Sequence, residues 1–153
     1  MSSEEIKIDY PKVNGTMIIS AFPCTGKTTY TYADYAPENF ALDSDSSKFD
    51  KAYFPHNYME NIMKNIGKYS RLFVSSHKEV RTALKSNGLP FILIYPSMSL
   101  REEYLERCKK RGSNETLIRA ISDNWFKWLM EIEQQTGCIH IELKSGQFIS
   151  NVI

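Results

Sequence analysis

Residues 21–28 read Ala-Phe-Pro-Cys-Thr-Gly-Lys-Thr, which has the spacing of the phosphate-binding motif Gly-x-x-x-x-Gly-Lys-Ser/Thr. A short β-branched run at residues 16–20 precedes the motif, and residues 27–35, which contain no glycine or proline, follow it. A strand, a tight loop and a helix in this order let successive backbone N–H groups surround phosphate oxygens. The segment therefore predicts a binding loop for a nucleoside triphosphate.

The motif assigns a role to each of its residues. We expect the Lys27 ammonium to contact phosphate oxygens, the Thr28 hydroxyl to bind Mg²⁺, and Gly26 to let the chain approach the ligand closely. The predicted nucleotide-binding residues are Cys24, Thr25, Gly26, Lys27, Thr28 and Thr29. The first position is Ala21 instead of glycine, which the loop tolerates if the backbone there keeps a negative φ.

Three cysteines, Cys24, Cys108 and Cys138, are odd in number and lack metal-ligand spacing. The first five residues, Met-Ser-Ser-Glu-Glu, lack the basic and apolar regions of a signal peptide, so we expect a reducing, cytoplasmic environment. A nucleophilic or redox role for Cys24 is the less favoured interpretation, because no resolving cysteine lies near it in the sequence. We attribute its position to loop geometry.

Charge and hydropathy argue against other classes of protein. The 19 Lys and Arg against 18 Asp and Glu give a formal net charge of +1, so no overall field draws the chain to nucleic acid or membrane. A nucleic-acid substrate would require a local basic patch. The most apolar stretch, residues 91–95, is far shorter than the roughly 20 residues of a membrane-spanning helix.

The rest of the chain alternates short apolar runs with helical patterns. Strands are predicted at residues 16–20, 40–42, 71–75, 91–95 and 139–143, and helices at 27–35, 58–68, 76–86, 99–111 and 115–135. Ser76-x-x-Glu79 and Ser99-x-x-Glu102 have the pattern of capping boxes. Because parallel strands need crossover connections, we expect one α/β domain over residues 1–153, with a five-stranded, mainly parallel sheet and helices on both faces.

The sequence Asp43-Ser-Asp45 follows the second predicted strand. In phosphoryl transfer a carboxylate at this edge of the sheet can accept the proton of the attacking hydroxyl or hold Mg²⁺ through water. The alternative is a solvated turn, which the composition of Asp-Ser-Asp-Ser-Ser also suits. The sequence does not separate Asp43 from Asp45 as the catalytic carboxylate.

The third predicted strand ends at Ser75-Ser76-His77. At this position many phosphate-loop proteins have an aspartate, which this sequence lacks. Ser76 is explained as a helix cap, while Ser75 and His77 are candidates for contacts with the acceptor. Arg81 lies one helical turn beyond His77 and could reach a phosphate. Aromatic residues upstream, Tyr53, Phe54 and Tyr58, either stack on the acceptor's base or pack against the core, and packing is the commoner use.

Residues 99–113 follow the fourth strand and are rich in arginine and lysine. Arg107 and Arg111 are four residues apart and share a helical face, and guanidinium forks suit phosphate oxygens. We interpret this segment as a small lid, with Arg107 and Arg111 as catalytic residues and Arg101 as an acceptor contact. The alternative is a solvated face that Glu102, Glu103 and Glu106 partly neutralise.

The phosphate loop, the acidic turn after strand two and the arginine-bearing helix after strand four together resemble the P-loop nucleoside and nucleotide kinases. Over most of its length the chain is most similar to small kinases of bacteriophage type that phosphorylate nucleotides or modified pyrimidines within DNA. The resemblance implies the P-loop NTPase fold, ATP or GTP with Mg²⁺ on Lys27 and Thr28, and transfer to a nucleotide, a nucleoside or a hydroxymethylated base. Two alternatives stay open, a regulatory module that binds or hydrolyses a triphosphate and a degenerate fold with a structural role.

Overall fold

The computed structural model describes residues 10–31 and 40–153, and for Thr28 and Thr29 it describes only the backbone. The predictions for the N-terminus and for the helix beyond residue 31 therefore lie outside the described residues. So does the predicted role of the Thr28 hydroxyl.

Residues 10–31 and 40–153 contain five strands and five α-helices, which alternate except that two helices in succession precede the last strand. The strands are β1 (Met17–Ala21), β2 (Ala41–Asp43), β3 (Arg71–Ser75), β4 (Ile92–Pro96) and β5 (Ile139–Leu143). The helices are α1 (Lys27–Thr31), α2 (His56–Asn65), α3 (Lys78–Ser86), α4 (Arg101–Arg111) and α5 (Glu115–Glu133), with short 3-10 turns at Ser46–Lys48, Met98–Leu100 and Ile149–Asn151. The α/β class and the five strands predicted from the sequence are confirmed.

The strands form one sheet in the order β2-β3-β1-β4-β5, and all four pairings are parallel. In the register, the last residue of β1, Ala21, lies beside Ser75 of β3 and Ile94 of β4. Parallel pairing places the carboxyl ends of all strands at one edge, where ligands bind in sheets of this type. Ala21, Asp43 and Ser75 therefore end at the same edge of the sheet.

Two apolar layers cover the sheet, because side chains alternate between its faces along each strand. On one face, Ile18 of β1 packs with residues of α2, α3 and α5 in the larger core cluster. On the other face, Met17 and Ile19 pack with Tyr30 of α1 and Ile149 near the C-terminus. Helices on both faces, as predicted, hold the carboxyl edge in place.

Both predicted capping boxes are wrong. Helix α3 begins after His77 and α4 after Leu100, and neither residue caps its helix with a side chain. The Ser75 hydroxyl accepts a hydrogen bond from the His77 N–H (3.1 Å), so β3 runs into α3 through a serine turn. The predicted end of α4 is confirmed, because Gly112 adopts the left-handed conformation (φ 79°) that closes a helix.

Helix α4, which contains most of the predicted lid, packs against α5. The buried ring of Tyr104 contacts Trp125 of α5, and both rings meet Phe22 from the β1–α1 loop. One aromatic cluster thus joins α4, α5 and this loop. In the described part of the chain, no helix combines the length and apolar character needed to cross a membrane.

Candidate functional site

The β1–α1 loop, residues 22–26, turns tightly between the sheet and α1. Phe22 N–H donates to the Ile94 carbonyl (2.9 Å), and the Thr25 hydroxyl donates back to the Phe22 carbonyl (2.7 Å). Left-handed backbone occurs at Cys24 (φ 65°) and Gly26 (φ 101°). Within residues 10–31 and 40–153, the N–H groups of Cys24, Thr25 and Gly26 have no hydrogen-bond acceptor. The loop can therefore donate several backbone hydrogen bonds to an anion.

Gly26 meets two requirements of the loop. Its φ is one that side-chain-bearing residues rarely adopt, and a Cβ at this position would lie 3.2 Å from Cδ1 of Phe148. Ala21, by contrast, is an ordinary strand residue without positive φ, as the sequence analysis expected.

Lys27 extends its side chain back along the loop toward β1. Its Nζ donates to the Ala21 carbonyl at 3.4 Å. Desolvation by burial lowers the pKa of Lys27, the negative charge of Asp43 raises it, Arg111 lowers it, and Asp45 raises it. The charges of both carboxylates and of Arg111, all of them predicted catalytic residues, therefore act on Lys27.

Asp43 and Asp45 differ in what they already bind. The Asp45 carboxylate caps the following 3-10 turn, accepting hydrogen bonds from the Ser47 N–H (2.9 Å) and hydroxyl (2.7 Å). Partial burial would raise the pKa of Asp45, but these hydrogen bonds, Lys48 and Lys27 together hold it below its usual value. The Asp43 carboxylate makes no hydrogen bond or ion pair with the described residues. Of the two carboxylates, Asp43 is therefore the one without a protein partner in this part of the chain.

Tyr58 of α2 fastens the acidic turn to the sheet. Its buried hydroxyl donates to the Ser44 carbonyl (2.6 Å) and accepts from the Ser75 N–H (3.1 Å). Burial raises the pKa of Tyr58 to about 12, so the hydroxyl keeps its proton. Phe49 and Phe54 pack against the Tyr58 ring, so of the two alternatives for Tyr58, stacking on a base and packing against the core, the structure shows packing.

The side chain of Arg107 links three segments of the chain. Its guanidinium lies over the rings of Tyr104 (4.4 Å) and Phe148 (4.0 Å) and donates to the carbonyls of Cys24 (3.4 Å) and Gln147 (2.8 Å). An ion pair with Glu103 (3.1 Å) completes its contacts. With both faces and most of its donors engaged, Arg107 holds the β1–α1 loop against α4 and the segment after β5.

The other two arginines of α4 point to different places. Arg101 donates to the Ser122 hydroxyl (2.6 Å) on α5 and pairs with Glu102, so the structure does not bring it to the Lys27 cluster. Arg111, at the end of α4, is exposed and acts electrostatically on Lys27. Of the predicted lid arginines, Arg111 is the one with a solvent-exposed side chain whose charge acts on Lys27.

Cys24 has a cysteine partner that its sequence neighbourhood does not reveal. A disulfide joins Cys24 to Cys108 of α4, with the two Cα atoms 6.0 Å apart, and both cysteines are buried. From the sequence we attributed the position of Cys24 to loop geometry alone, and the disulfide adds a covalent link to α4. The 84 residues between them conceal the pairing, which follows only from the docking of α4 onto the loop.

A cavity of about 390 Å³ opens beside the β1–α1 loop. It lies between Phe22 and Pro23 of the loop, the start of α3 with His77 and Arg81, and Trp128 of α5. Desolvation lowers the pKa of His77, Glu79 opposes this effect, and the positive charges of Lys27 and Arg81 add to it. His77 and Arg81 thus lie by a ligand-sized space, whereas the Ser75 hydroxyl is used in its own turn.

Two contributors to the site carried no signal in the sequence. Residues 145–149 follow β5 and pack on the loop, where Ile149 N–H donates to the Thr25 carbonyl (3.0 Å). Glu103 anchors the same segment, accepting hydrogen bonds from the Ser145 hydroxyl and the Gly146 N–H.

Comparisons with known proteins add no family to this geometry. No protein-family model matches the chain, and no curated protein matches it.

Proposed function

We propose that the chain is a kinase with the P-loop NTPase fold that transfers the γ-phosphoryl group of ATP or GTP to a nucleotide, a nucleoside or a hydroxymethylated base in DNA. The observation that carries the proposal is the surroundings of Lys27. Lys27 follows a loop with three N–H groups that have no acceptor among the described residues, and its ammonium is affected by the charge of Asp43, a carboxylate without a partner among the same residues. Cationic, N–H and carboxylate groups at one sheet edge are what phosphoryl transfer requires.

The proposed reaction uses these groups as follows. The loop N–H groups and Lys27 hold the triphosphate, and the acceptor hydroxyl attacks the γ-phosphorus while Asp43 takes its proton. The bond from the γ-phosphorus to the bridging oxygen breaks, and that oxygen leaves on the nucleoside diphosphate. An acceptor that attacks through a phosphate oxygen transfers no proton. Arg111 stabilises negative charge that develops on the transferring group.

The described residues suit Mg²⁺ held mainly by the triphosphate. No group of three His, Cys, Asp or Glu side chains converges within residues 10–31 and 40–153. Mg²⁺ in such sites uses few protein ligands, keeps several waters and binds substrate phosphates, so Asp43 with the Thr28 hydroxyl of the motif suffices. When bound, Mg²⁺ would neutralise charge on the phosphate oxygens.

The cavity beside the loop is the proposed entry for the acceptor. It is lined by the same Phe22 and Pro23 that form the loop, and His77 on its wall lies close enough to Lys27 to be affected by its charge. An acceptor in this space would approach the phosphate end of a nucleotide held by the loop.

Phosphoryl transfer from γ-³²P-ATP to a panel of nucleosides, nucleotides and hydroxymethylated DNA tests the proposal. We expect transfer to at least one acceptor, and its loss in Lys27→Met. The matched control is Lys48→Met, which removes an exposed lysine from the turn after β2. Tight ATP binding without transfer to any acceptor would refute the kinase and favour the regulatory module. Absence of ATP binding would favour a structural role.

A further inference from the structure

We infer that Arg81 is the anchor of an acceptor-phosphate site, so that the acceptor carries a phosphate or phosphodiester group close to the atom that is phosphorylated. This inference rests on the proposed kinase function and narrows its acceptor class. It disfavours a free nucleoside as substrate. The observations that carry it are the burial, the partners and the position of Arg81.

Arg81 is a buried cation without a carboxylate partner. Only 3% of the residue is exposed, yet it forms no ion pair within the described chain. Its Nε donates to the Ser76 carbonyl (2.9 Å) and its Nη1 to Oε1 of Gln135 (2.8 Å), both neutral acceptors. Buried charges in proteins are usually paired, so an unpaired guanidinium in a cavity wall indicates an anionic ligand.

One amino group of Arg81 stays available. Nη2 has no acceptor among the residues that the structure describes, and protein atoms do not seal it off, unlike the enclosed Nε of Arg71. Ser76 and Gln135 fix the plane of the guanidinium and leave this donor for a ligand. A guanidinium held in one orientation binds a phosphate with little loss of side-chain entropy.

The position of Arg81 connects it to the β1–α1 loop. Arg81 lines the 390 Å³ cavity together with Phe22 and Pro23 of that loop. His77 lines the same cavity wall; desolvation lowers its pKa, and the positive charges of Lys27 and Arg81 add to this effect. A triphosphate on Lys27 and an anion on Arg81 would therefore occupy neighbouring sites.

The other charged groups of the cavity wall do not cancel Arg81. Lys78 and Lys127 are basic, and Glu79 and Glu131 are acidic, which leaves Arg81 as the excess positive charge. Desolvation by burial lowers the pKa of Arg81, and Glu131 opposes this effect without reaching ion-pair distance. The cavity thus suits a ligand with one anionic group and an uncharged part, as a nucleotide unit has.

Binding of matched ligands to the chain tests the inference. With the loop saturated by MgADP, calorimetry compares thymidine monophosphate, thymidine and a single-stranded oligothymidylate of 12 nucleotides. We expect Arg81→Gln to weaken binding of a phosphate-bearing ligand by about ten- to a hundredfold, the range for a lost charged hydrogen bond, and to leave thymidine unchanged. Arg119→Gln, which removes an exposed arginine of α5, should change neither.

The pattern across ligands identifies the source of the phosphate. Loss of thymidine monophosphate binding alone indicates a mononucleotide, and loss of oligonucleotide binding alone indicates a phosphodiester; either supports the inference. Arg81→Gln that binds both phosphate-bearing ligands as tightly as the wild type overturns it. An equal loss for thymidine also overturns it, because a merely structural residue would affect all ligands alike.

Two further measurements keep the test decisive if Arg81→Gln does not fold. Arg81→Lys keeps the charge without the fork, and we expect it to weaken phosphate binding less than Arg81→Gln does. If neither variant folds, the wild type decides, because a phosphate-bearing ligand should bind at least tenfold more tightly than thymidine and equal affinities refute the site. The MgADP titration reports separately on the β1–α1 loop, so failure of the kinase proposal is recognised independently.

Discussion

Replacing Tyr58 by phenylalanine tests how the acidic turn is held. The substitution keeps the ring between Phe49 and Phe54 and removes only the hydroxyl. It deletes hydrogen bonds of 2.6 Å to the Ser44 carbonyl and 3.1 Å from the Ser75 N–H. Each lost hydrogen bond leaves a buried polar group unpaired, which lowers the free energy of unfolding by roughly 1–1.5 kcal/mol. We therefore expect about 2–3 kcal/mol of destabilisation in total.

Urea unfolding followed by circular dichroism measures this change. The transition midpoint should fall at an unchanged slope, and a thermal scan should show a decrease of roughly 5–10 °C for a chain of this size. Tyr53→Phe is the matched control, because Tyr53 is 68% exposed and should change stability by less than about 0.5 kcal/mol. If Tyr58→Phe and Tyr53→Phe unfold alike, the reasoning about the turn is wrong.

The same variant links stability to the proposed chemistry. Without the hydroxyl, the turn after Asp43 loses its link to the end of β3 at Ser75 and keeps the hydrogen bond from the Ser44 N–H to the Phe73 carbonyl (2.9 Å), whereas the β1–α1 loop keeps all of its own contacts. For the proposed kinase we therefore expect kcat to fall while the KM for ATP stays within about twofold. A rise in the KM for ATP with unchanged kcat would contradict this assignment.

Three further predictions follow from single contacts. Asp43→Asn should lower phosphoryl transfer to a hydroxyl acceptor by about a hundredfold or more, as loss of a general base does, whereas Asp45→Asn, which keeps a capping oxygen, should cost less than about tenfold in the same assay. Hydrogen bonds from the segment after β5 and the charge of Arg107 hold the pKa of Glu103 below its ordinary value. Its stabilising contribution is therefore present above the ordinary pKa of a glutamate and is lost as pH falls through the lower folded-state pKa, so Glu103→Gln should flatten the decline of urea midpoints in acid. Cys108→Ala should destabilise the oxidised protein by about 2–4 kcal/mol and should match the wild type more closely once a reductant is present, as chemical unfolding with and without reductant would show.

The sequence predicted the architecture well because local signals agree with the fold. Residues 71–75 and 139–143 were predicted as strands, and β3 and β5 have these bounds. Asn87 and Gly88 end α3, and Gly112 ends α4, where turn-forming residues predicted the stops. These elements depend on apolar periodicity and on glycine conformations, which a sequence displays directly.

The starts of α3 and α4 were predicted wrongly for a local reason. Ser76 and Ser99 have suitable side chains, but a cap also requires the residue at the right backbone position. In α3 that position is His77, and the hydroxyl that bonds to it belongs to Ser75. Because the hydroxyl that accepts this hydrogen bond belongs to Ser75 and not to Ser76, α3 forms without the predicted cap.

The roles of the arginines could not be read from the sequence because they depend on distant partners. Arg107 and Arg111 share a helical face, yet Phe148 and Gln147, about 40 residues later, engage Arg107 alone. Arg81 was predicted to reach a phosphate, but its burial and its lack of a carboxylate partner emerge only when Gln135 docks on α3. Sequence spacing identifies which side chains share a helical face, whereas tertiary packing decides which of them remain free to bind a ligand.

Cys24 has an unusual backbone conformation, which is a local property, and a disulfide to a distant residue, which depends on the tertiary fold. A pair of variants separates the two properties. Its φ of 65° is unfavourable for any residue with a Cβ, and its sulfur is joined to Cys108. Cys24→Ala and Cys24→Gly remove the sulfur equally, so their difference reports on the backbone alone. Left-handed backbone costs alanine roughly 1–2 kcal/mol, and glycine loses part of this advantage through its more flexible unfolded chain.

We therefore expect Cys24→Gly to be more stable than Cys24→Ala by roughly 0.5–1 kcal/mol, the reverse of their order in most other places. Urea unfolding in reductant, with Cys138→Gly and Cys138→Ala as a second pair at a cysteine without positive φ, measures the difference. If Cys24→Ala were the more stable of its pair, the loop would not hold this residue in left-handed backbone. The strain is then absent, and the N–H groups of Cys24 and Thr25 would not converge on a phosphate as proposed.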